Sequence, residues 1–533
     1  MKKGLFTLFI FCSLVCSYIY GQDTPSDKGM LSISSDVLKA QLGFLASDIT
    51  EGREAGEKGA YIASEYIASI LQLYGIKPGG DLLYSRSTSD IAQSPSISYF
   101  QNFSLLKTTA GSDQVMKVIS QNGNERKTTL FTYQVDFSFL PSYPPFEIEA
   151  PVVFAGYGFK NEMLKYNDFN NLNIKGKFIL KISGIPAFAK GKLTADEISN
   201  SMKDANEYLR EMGAAGVIEF DPLNTFFGRP EVKDYLNPSP AERSPVPMPL
   251  YSRYLLPGKS ASSDLCRIFI SARAAAEILS GTGVVPEDYM KKADINQTYP
   301  SAPISEKTIY LKSDIKTTLI PVRNVIGVIE GNDPNQVIVI GAHYDHMGMS
   351  NGYIWNGADD NGSGAVGVMT IARAIMATGK KPDKTIIIAL WTAEEEGLLG
   401  SRYYIRNLTY PLKNLKLNVN CDMISRYISN DNQKGVVMVY TKSCPLFRDL
   451  TEANIKKYVI DIVVDYQPSD DPPGGSDHRS FVEVGIPVMR FKTSHPAEYH
   501  TPADEVGIIN WDIMEKIVRI NFANIWDLAN SNW

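Results

Sequence analysis

The feature that most constrains the fold is an alternation of short apolar runs and helical patterns after residue 324. Apolar runs of strand length lie at 337–340, 385–391, 415–420 and 487–491, and the run 364–378 has the spacing of a helix. Strands that alternate with helices are typical of an α/β domain. We therefore predict a mixed, largely parallel sheet flanked by helices for this part of the chain.

The chain before this region has a different pattern. Two helical patterns within 36–74 are separated by a turn that is rich in glycine and charge. From about 105 to 310, short β-rich runs dominate, and the proline-laden passage 237–257 is predicted to be an irregular loop. A length of 533 residues also exceeds what one hydrophobic core usually holds.

These observations predict four segments along the chain. Residues 1–21 are a signal segment, and 22–108 are the N-terminal part of the α/β domain. Residues 109–310 are a β-rich insert, and 311–533 are the main part of the α/β domain.

The N-terminal segment has the pattern of a secretory signal. Lys2 and Lys3 precede an apolar run at 5–15, and small and polar residues follow before position 22. This pattern predicts export to the periplasm or the medium. A lipoprotein signal is the less favoured alternative, because Val15 rather than a small residue precedes Cys16. No later apolar stretch approaches the roughly 20 residues of a membrane span, so we expect no membrane-spanning segment.

Composition excludes some partners. The formal net charge of −6 offers no general attraction to nucleic acid, so we expect no nucleic-acid partner. The cysteines beyond the signal segment, Cys266, Cys421 and Cys444, do not have the spacing of a disulfide framework.

Metal-type side chains follow the apolar runs of the α/β region. In chain order they are His343, Asp360, Glu394, Glu395, Asp422 and His500. Because ligands bind at the carboxyl ends of the strands in open α/β sheets, we expect these side chains to converge at one edge. Imidazole nitrogens and carboxylate oxygens are zinc ligands. The sequence therefore predicts a zinc site at this edge.

The motifs around these residues resemble a known family. They are His-Tyr-Asp-His from 343, Asn-Gly-Ala-Asp-Asp-Asn-Gly-Ser-Gly from 356, Ala-Glu-Glu-Glu-Gly-Leu from 393, Cys-Asp-Met from 421, Ser-Asp-His-Arg-Ser-Phe from 476 and Tyr-His-Thr-Pro-Ala-Asp from 499. In this order they resemble the MH-clan co-catalytic zinc aminopeptidases, whose relatives include glutamate carboxypeptidase, glutaminyl cyclase and the transferrin-receptor ectodomain. Residues 52–56, 74–78 and 99–103 resemble the family's N-terminal segment. The insert resembles its protease-associated domain, through 154–158 and 213–217.

The resemblance implies a role for each matching residue. Asp360 would bridge two zinc ions, with His343 and Asp422 on one ion and Glu395 and His500 on the other. Glu394 would be the general base. Asp345 would be a catalytic-site residue that orients the imidazole of His343.

Other positions are less defined by the resemblance. Asp477 and His478 match a family motif but also fit a hydrogen-bonded loop beneath the site, and His346 and His495 are expected to be loop residues near the substrate. Some family members have a tyrosine shortly before Ser-Asp-His that helps to hold the oxyanion. Residues 470–475 contain no tyrosine here, so the oxyanion partner stays unassigned.

The expected function is that of an exported di-zinc exopeptidase that removes N-terminal residues from peptides with a free N-terminus, using metal-activated water. Two alternatives on the same fold are a glutaminyl cyclase and a carboxypeptidase. A receptor-like binding protein is a third alternative, but the complete ligand set counts against it. The oligomeric state cannot be read from the sequence.

Overall fold

The computed structural model of the protein describes residues 24–83, 96–139, 145–222, 252–258, 265–295, 303–350, 352–429 and 431–533. The predicted signal segment and most of the predicted loop 237–257 lie outside these described residues.

A large mixed sheet forms the centre of the α/β region. Its strands lie in the order Ser252–Leu255, Phe100–Ala110, Ile315–Ile329, Lys384–Trp391, Asp333–His343, Leu415–Cys421, Val488–Lys492, Gly435–Tyr440 and Val463–Pro468, and Lys77–Pro78 pairs beside Ile315–Ile329. The four strands from Lys384–Trp391 to Val488–Lys492 are mutually parallel. Antiparallel strands flank them on both sides. The predicted mixed α/β sheet is thus confirmed, with its parallel part at the centre.

The central strands are buried along most of their length because helices or loops cover both faces of the sheet. On the strand Asp333–His343, Ile338 and Ile340 pack into one hydrophobic cluster, whereas Val337 and Val339 pack into another on the opposite face. The described helices are Pro25–Ser32, Ser35–Leu45, Lys58–Leu73, Ala187–Lys190, Ala195–Glu211, Ala272–Leu279, Pro286–Asp294, Gly364–Ala377, Leu399–Arg406, Leu446–Tyr458, His478–Val482 and Trp511–Ala529. None of them combines the length and apolar character that a membrane crossing requires.

The N-terminal helices belong to the α/β region. The helices predicted within 36–74 are Ser35–Leu45 and Lys58–Leu73, joined through the short 3₁₀ segment Asp48–Arg53. Their apolar residues, such as Leu42 and Ile67, share one cluster with the helices Gly364–Ala377 and Trp511–Ala529. The α/β region is therefore built from both ends of the described chain.

A second sheet is formed by residues that lie, in sequence, between the two parts of the α/β region. Its strands are ordered Glu125–Phe131, Val115–Asn122, Pro303–Ser313, Phe146–Phe154, Phe178–Ile182, Gly216–Phe220, Arg267–Ile270 and Phe137–Phe139. This sheet has its own hydrophobic clusters. Its assignment as a protease-associated domain stays a prediction.

The strand Ser252–Leu255 corrects one expectation. We predicted an irregular loop through residue 257, yet this segment pairs antiparallel with Phe100–Ala110 of the large sheet. Tyr254 and Leu256 are buried there in a cluster with Leu105. The two paired strands lie about 145 residues apart in sequence, and their hydrogen bonds outweigh the local proline signal. Sequence patterns alone do not reveal such a remote pairing.

Candidate metal centre

The predicted ligands meet at one edge of the large sheet. His343 is the last residue of its strand, Asp422 follows Leu415–Cys421, and Glu395 follows Lys384–Trp391 by four residues. His500 lies in the loop after Val488–Lys492. Asp360 lies in the irregular turn Ala358–Ser363, which leads into a buried helix.

The distances between these side chains fit shared coordination. His343 Nε2 lies 3.5 Å from Asp360 Oδ1 and 3.6 Å from Asp422 Oδ1. His500 Nε2 lies 3.0 Å from Asp360 Oδ2 and 3.2 Å from Glu395 Oε2. Two donors on one tetrahedral zinc ion are about 3.3–3.6 Å apart, given bonds of about 2.0–2.2 Å. The two pairs at His343 lie within this range, and the two at His500 are slightly shorter. Asp360 thus turns one oxygen toward each of two groups of ligands.

Two of these atoms also lack hydrogen bonds, although they are buried. Asp422 Oδ1 and His500 Nε2 have no hydrogen-bond partner among the described residues. Leaving such an atom unsatisfied costs about 1–3 kcal/mol, and more if it is charged. Each faces another ligand atom within 3.6 Å, so a cation between them would satisfy both. The donor set therefore fits zinc.

The two adjacent glutamates have opposite pKa shifts. Burial raises the pKa of Glu394 well above its usual range, and the charge of His343 opposes this only in part. Burial would also raise the pKa of Glu395, but the charge of His500 and a hydrogen bond from His346 hold it well below its usual range. Neighbouring acids with separated pKa values are suited to different roles. Glu395 is suited to be an anionic ligand, and Glu394 to exchange a proton.

Asp345 contacts the site through both its side-chain carboxylate and its backbone carbonyl group. Its carboxylate accepts hydrogen bonds from the backbone N–H groups of Glu394, at 3.1 Å, and Glu395, at 3.4 Å. Its carbonyl oxygen lies 3.2 Å from His343 Nδ1, whereas its nearest carboxylate oxygen is 3.9 Å away. The carbonyl therefore orients the imidazole, and the carboxylate positions the glutamate pair.

Arg53 is a positioning residue that sequence reasoning missed. It is fully buried, and its guanidinium donates to the carbonyl oxygens of Tyr344 at 2.7 Å, Leu45 at 2.6 Å, Asn356 at 2.6 Å and Gly357 at 2.8 Å. Burial lowers the pKa of Arg53 to about 10, although nearby carboxylates oppose the shift. Three of these carbonyl groups, those of Tyr344, Asn356 and Gly357, lie between His343 and the turn that carries Asp360, so Arg53 fixes this loop. The sequence signal was the Gly52-Arg53 pair.

Asp504 holds the turn that presents Asp360. Its carboxylate accepts the backbone N–H groups of Asp359, at 2.8 Å, and Asp360, at 3.0 Å. Asp359 turns away and accepts the Ser425 hydroxyl at 2.6 Å. Both acids therefore support the bridging residue from behind.

Comparison with known proteins supports the resemblance to zinc aminopeptidases that the sequence motifs indicate. Residues 324–525 match the model of peptidase family M28. This part of the chain is similar to peptidase family M28. It is 36% identical over 167 residues to leucine aminopeptidase 2 of Trichophyton rubrum, which covers 31% of this chain and 32% of the relative. Leupeptin-inactivating enzyme 1 of Streptomyces exfoliatus is 33% identical over 166 residues, or 31% of this chain and 34% of that protein. The chain thus matches about a third of the length of these curated relatives.

Solved structures extend the likeness in fold beyond the M28 part. The aminopeptidase from Aneurinibacillus sp. strain AM-1 has a TM-score of 0.58 and 20% identity, and the match covers 95% of this chain and 97% of that one. BSAP, a zinc aminopeptidase from Bacillus subtilis, has a TM-score of 0.54 and 19% identity, with 94% and 96% covered. The whole described architecture, including the second sheet, is therefore similar to theirs.

Tyr499 places a phenol beside the candidate metal centre. Its ring stacks on His500 with centroids 3.8 Å apart. Burial raises the pKa of Tyr499, and the charges of Asp360 and Glu395 raise it further, so the hydroxyl stays a neutral hydrogen-bond donor. Residues 470–475, where some family members have a tyrosine, contain none here, whereas Tyr499 lies directly before His500.

Four further polar residues lie near the candidate centre, namely Arg490, His478, Asp477 and His346. Arg490 is buried and donates to Asp422 Oδ2 at 3.0 Å. His478 Nε2 lies 3.0 Å from the carbonyl oxygen of Pro473, and burial lowers the pKa of His478 to about 3. Asp477 is also buried, and burial raises its pKa to about 6. The ring of His346, expected in a loop, is buried against Glu395.

Proposed function

We propose that this protein is a di-zinc aminopeptidase that removes N-terminal residues from peptides. The observation that carries the proposal is the bridging geometry of Asp360, whose two oxygens face His343 and His500 separately. Glu394 lies beside this arrangement, with Oε2 3.8 Å from His343 Nε2. The names of the relatives, leucine aminopeptidase and zinc aminopeptidase, support the same activity.

Each zinc ion would have its own ligands besides the shared carboxylate. His343 and Asp422 would hold one ion, and Glu395 and His500 the other. When bound, such a pair supplies an acidified water and polarises the carbonyl group of the substrate. Arg490, through its bond to Asp422 Oδ2, would keep the other oxygen of that carboxylate turned toward its ion.

Two side chains of the protein would act on the reacting groups. Glu394 would take the proton from the attacking water and deliver it to the leaving amine. Its burial favours the protonated form, which makes the first transfer, from water to Glu394, easier. The Tyr499 hydroxyl would donate a hydrogen bond to the oxygen that becomes negative in the transition state. Since water is the attacking group, no covalent enzyme intermediate is required.

Substrate polarity follows from the charge around the site. Glu396 lies next to the ligand Glu395, and burial together with the charges of Asp345 and Glu54 raises its pKa well above the usual range. The repulsion between neighbouring carboxylates that raises this pKa would be relieved by an ammonium group and increased by another carboxylate. A peptide would therefore enter with its free N-terminus at the metal centre.

We also propose that residues 1–21 direct export, and that the mature enzyme acts in the periplasm or the medium. Mass spectrometry of the N-terminal peptide from the exported protein tests this. A mature chain that begins near residue 22 is expected, and a full-length N-terminus in the cytoplasm contradicts it.

The decisive experiment uses a peptide that begins with glutamine. It is supplied with a free N-terminus, an acetylated N-terminus or an amidated C-terminus, and its products are weighed by mass spectrometry. Loss of the first residue from the free and amidated peptides, but not from the acetylated one, is expected. Loss of the last residue indicates a carboxypeptidase, and loss of ammonia alone a glutaminyl cyclase.

Metal analysis of the same preparation tests the cofactor. Close to two zinc ions per chain are expected, with activity lost to chelators and restored by zinc. One tightly held ion with full activity contradicts the co-catalytic arrangement.

A further inference from the structure

The ring of His346 is held in a fixed place beside Glu395. Its Nδ1 lies 2.7 Å from Glu395 Oε1, and its side chain is fully buried. A Cβ at Gly357 would lie only 2.5 Å from the ring, so Gly357 is packed directly against it. The backbone N–H of His346 donates to the Arg53 carbonyl at 3.3 Å, which ties the residue to the same loop anchor.

The distance distinguishes two roles for this imidazole. Two donors on one zinc ion are about 3.3–3.6 Å apart. A separation of 2.7 Å is shorter than that and typical of a charge-assisted hydrogen bond. The other oxygen of Glu395, Oε2, lies 3.2 Å from His500 Nε2, close to the coordination distance. Glu395 thus turns one oxygen to His346 and the other to the ligand group.

We propose that His346 is a positioning residue for zinc. Its Nδ1–H donates to Glu395 Oε1 and so restricts this carboxylate to one metal bond, through Oε2. An ionised carboxylate only accepts hydrogen bonds, so the ring proton must be on Nδ1. The inference rests on the proposed metal function and adds to it a residue outside the implied ligand set.

The direct consequence is a difference in metal affinity. Outer partners of metal ligands contribute about 10- to 100-fold to affinity. Without the hydrogen bond, Glu395 gains rotational freedom and its Oε1 becomes available as a second metal bond. The ion between Glu395 and His500 is therefore expected to bind more weakly and with altered geometry, whereas the ion at His343 and Asp422 keeps its affinity.

The test compares three substitutions of one residue. His346→Asn places an amide N–H close to the position of Nδ1, whereas His346→Gln places it near Nε2 and His346→Phe keeps the ring shape without a donor. Each full-length variant is titrated with zinc against a chromophoric chelator of known affinity. Visible spectra of the cobalt(II) forms report the number of nitrogen ligands. His495→Phe is the matched control, because its ring contacts Tyr499, with centroids 4.9 Å apart, and is not bonded to a ligand carboxylate.

The expected result is a 10- to 100-fold weaker affinity for one ion in the Phe and Gln variants. The zinc affinity of the Asn variant is expected to stay within about threefold of the wild-type affinity. The His495→Phe control is expected to have the wild-type affinity. The Asn and Gln variants carry the test even if the Phe variant does not fold. Unchanged affinity in all three overturns the proposal. Equal losses in all three, with one nitrogen ligand fewer in the cobalt spectra, also overturn it, because His346 is then a ligand itself.

The wild-type titration tests the proposed function separately. Fewer than two bound ions would contradict the di-zinc assignment, whereas the ratio between the Asn and Gln variants still decides the role of His346.

Discussion

The molecule contains two kinds of buried carboxylate, one in each sheet region. In the second sheet region, Asp168 accepts backbone N–H groups from Tyr157 at 3.0 Å and Phe159 at 3.1 Å, and also the hydroxyl of Tyr289. At the edge of the large sheet, by contrast, Asp422 and Asp360 face histidine nitrogens across gaps of 3.0–3.6 Å.

The difference teaches how to separate a structural acid from a functional one. Burial alone does not separate them, because Asp168 is 7% exposed and Asp422 is 4% exposed. Asp168 has its own donors, which offset part of the cost of burying its charge without any other molecule. Asp422 leaves Oδ1 without a hydrogen bond among the described residues and turned toward another ligand atom. A buried carboxylate oxygen that has no donor and faces the nitrogen of another candidate ligand indicates a bound cation.

The largest expected effect concerns Glu394. Glu394→Gln should reduce kcat by at least about 10²–10⁴-fold, because the amide cannot accept the proton of the attacking water. Zinc content and unfolding midpoint should stay close to wild type, since Glu394 is not among the proposed ligands. Glu395→Gln is the matched control and should lose zinc instead. Exchanged results for the two variants would mean that their roles are reversed.

Tyr499 should have the next largest effect. Tyr499→Phe keeps the ring that stacks on His500 but removes the hydroxyl, so kcat should fall by about 10²-fold with little change in zinc content. The measurement is steady-state kinetics on a free N-terminus peptide together with metal analysis. An unchanged kcat would assign the oxyanion to another donor.

Asp168 should affect stability and not the metal centre. Asp168→Ala leaves three donors without their acceptor and should lower the free energy of unfolding by about 2–3 kcal/mol. Denaturant titration measures this loss, and zinc stoichiometry should remain that of the wild type. Loss of zinc together with stability would show that the two carboxylate clusters are not independent.

The smallest effect is a dependence of stability on pH. Burial raises the pKa of Asp168 to about 6, above its value of about 3.9 in an unfolded chain. At pH values between these two pKa values, Asp168 is protonated in the folded state and ionised in the unfolded state. The contribution of Asp168 to the free energy of unfolding therefore falls as pH rises from about 4 to about 6. Asp168→Asn cannot titrate. The difference in unfolding free energy between wild type and variant should therefore change across this window and be flat above pH 7.

The parts of the fold that sequence analysis predicted are those with local signals. The central strands are rich in buried apolar residues, and His343 and Asp422 lie at or directly after strand ends, so their positions were readable from the local sequence alone. The strand Ser252–Leu255 was missed because its pairing partner is remote in sequence. Its neighbouring prolines also carried the opposite local signal.

The same distinction applies to the site. The ligand set came from a family resemblance and from side chains at strand ends. The contacts that position it were missed, because Arg53 and His346 act through atoms contributed by other parts of the chain. A lone arginine or histidine has no pattern that names its partner. Tyr499 was missed for a different reason. The family resemblance suggested a tyrosine shortly before Ser476, whereas Tyr499 lies directly before His500.

Arg53 also has a consequence for the order in which the protein folds. Its hydrogen bonds to Tyr344, Asn356 and Gly357 join residues that are 291, 303 and 304 positions apart, with the whole second sheet region between them. Contacts of such separation close the longest loops of a chain and form slowly. The metal-binding geometry is therefore completed only after both ends of the α/β region have met. Acquisition of zinc would then report that the newly made chain has matured, and a chain halted during synthesis would have no peptidase activity.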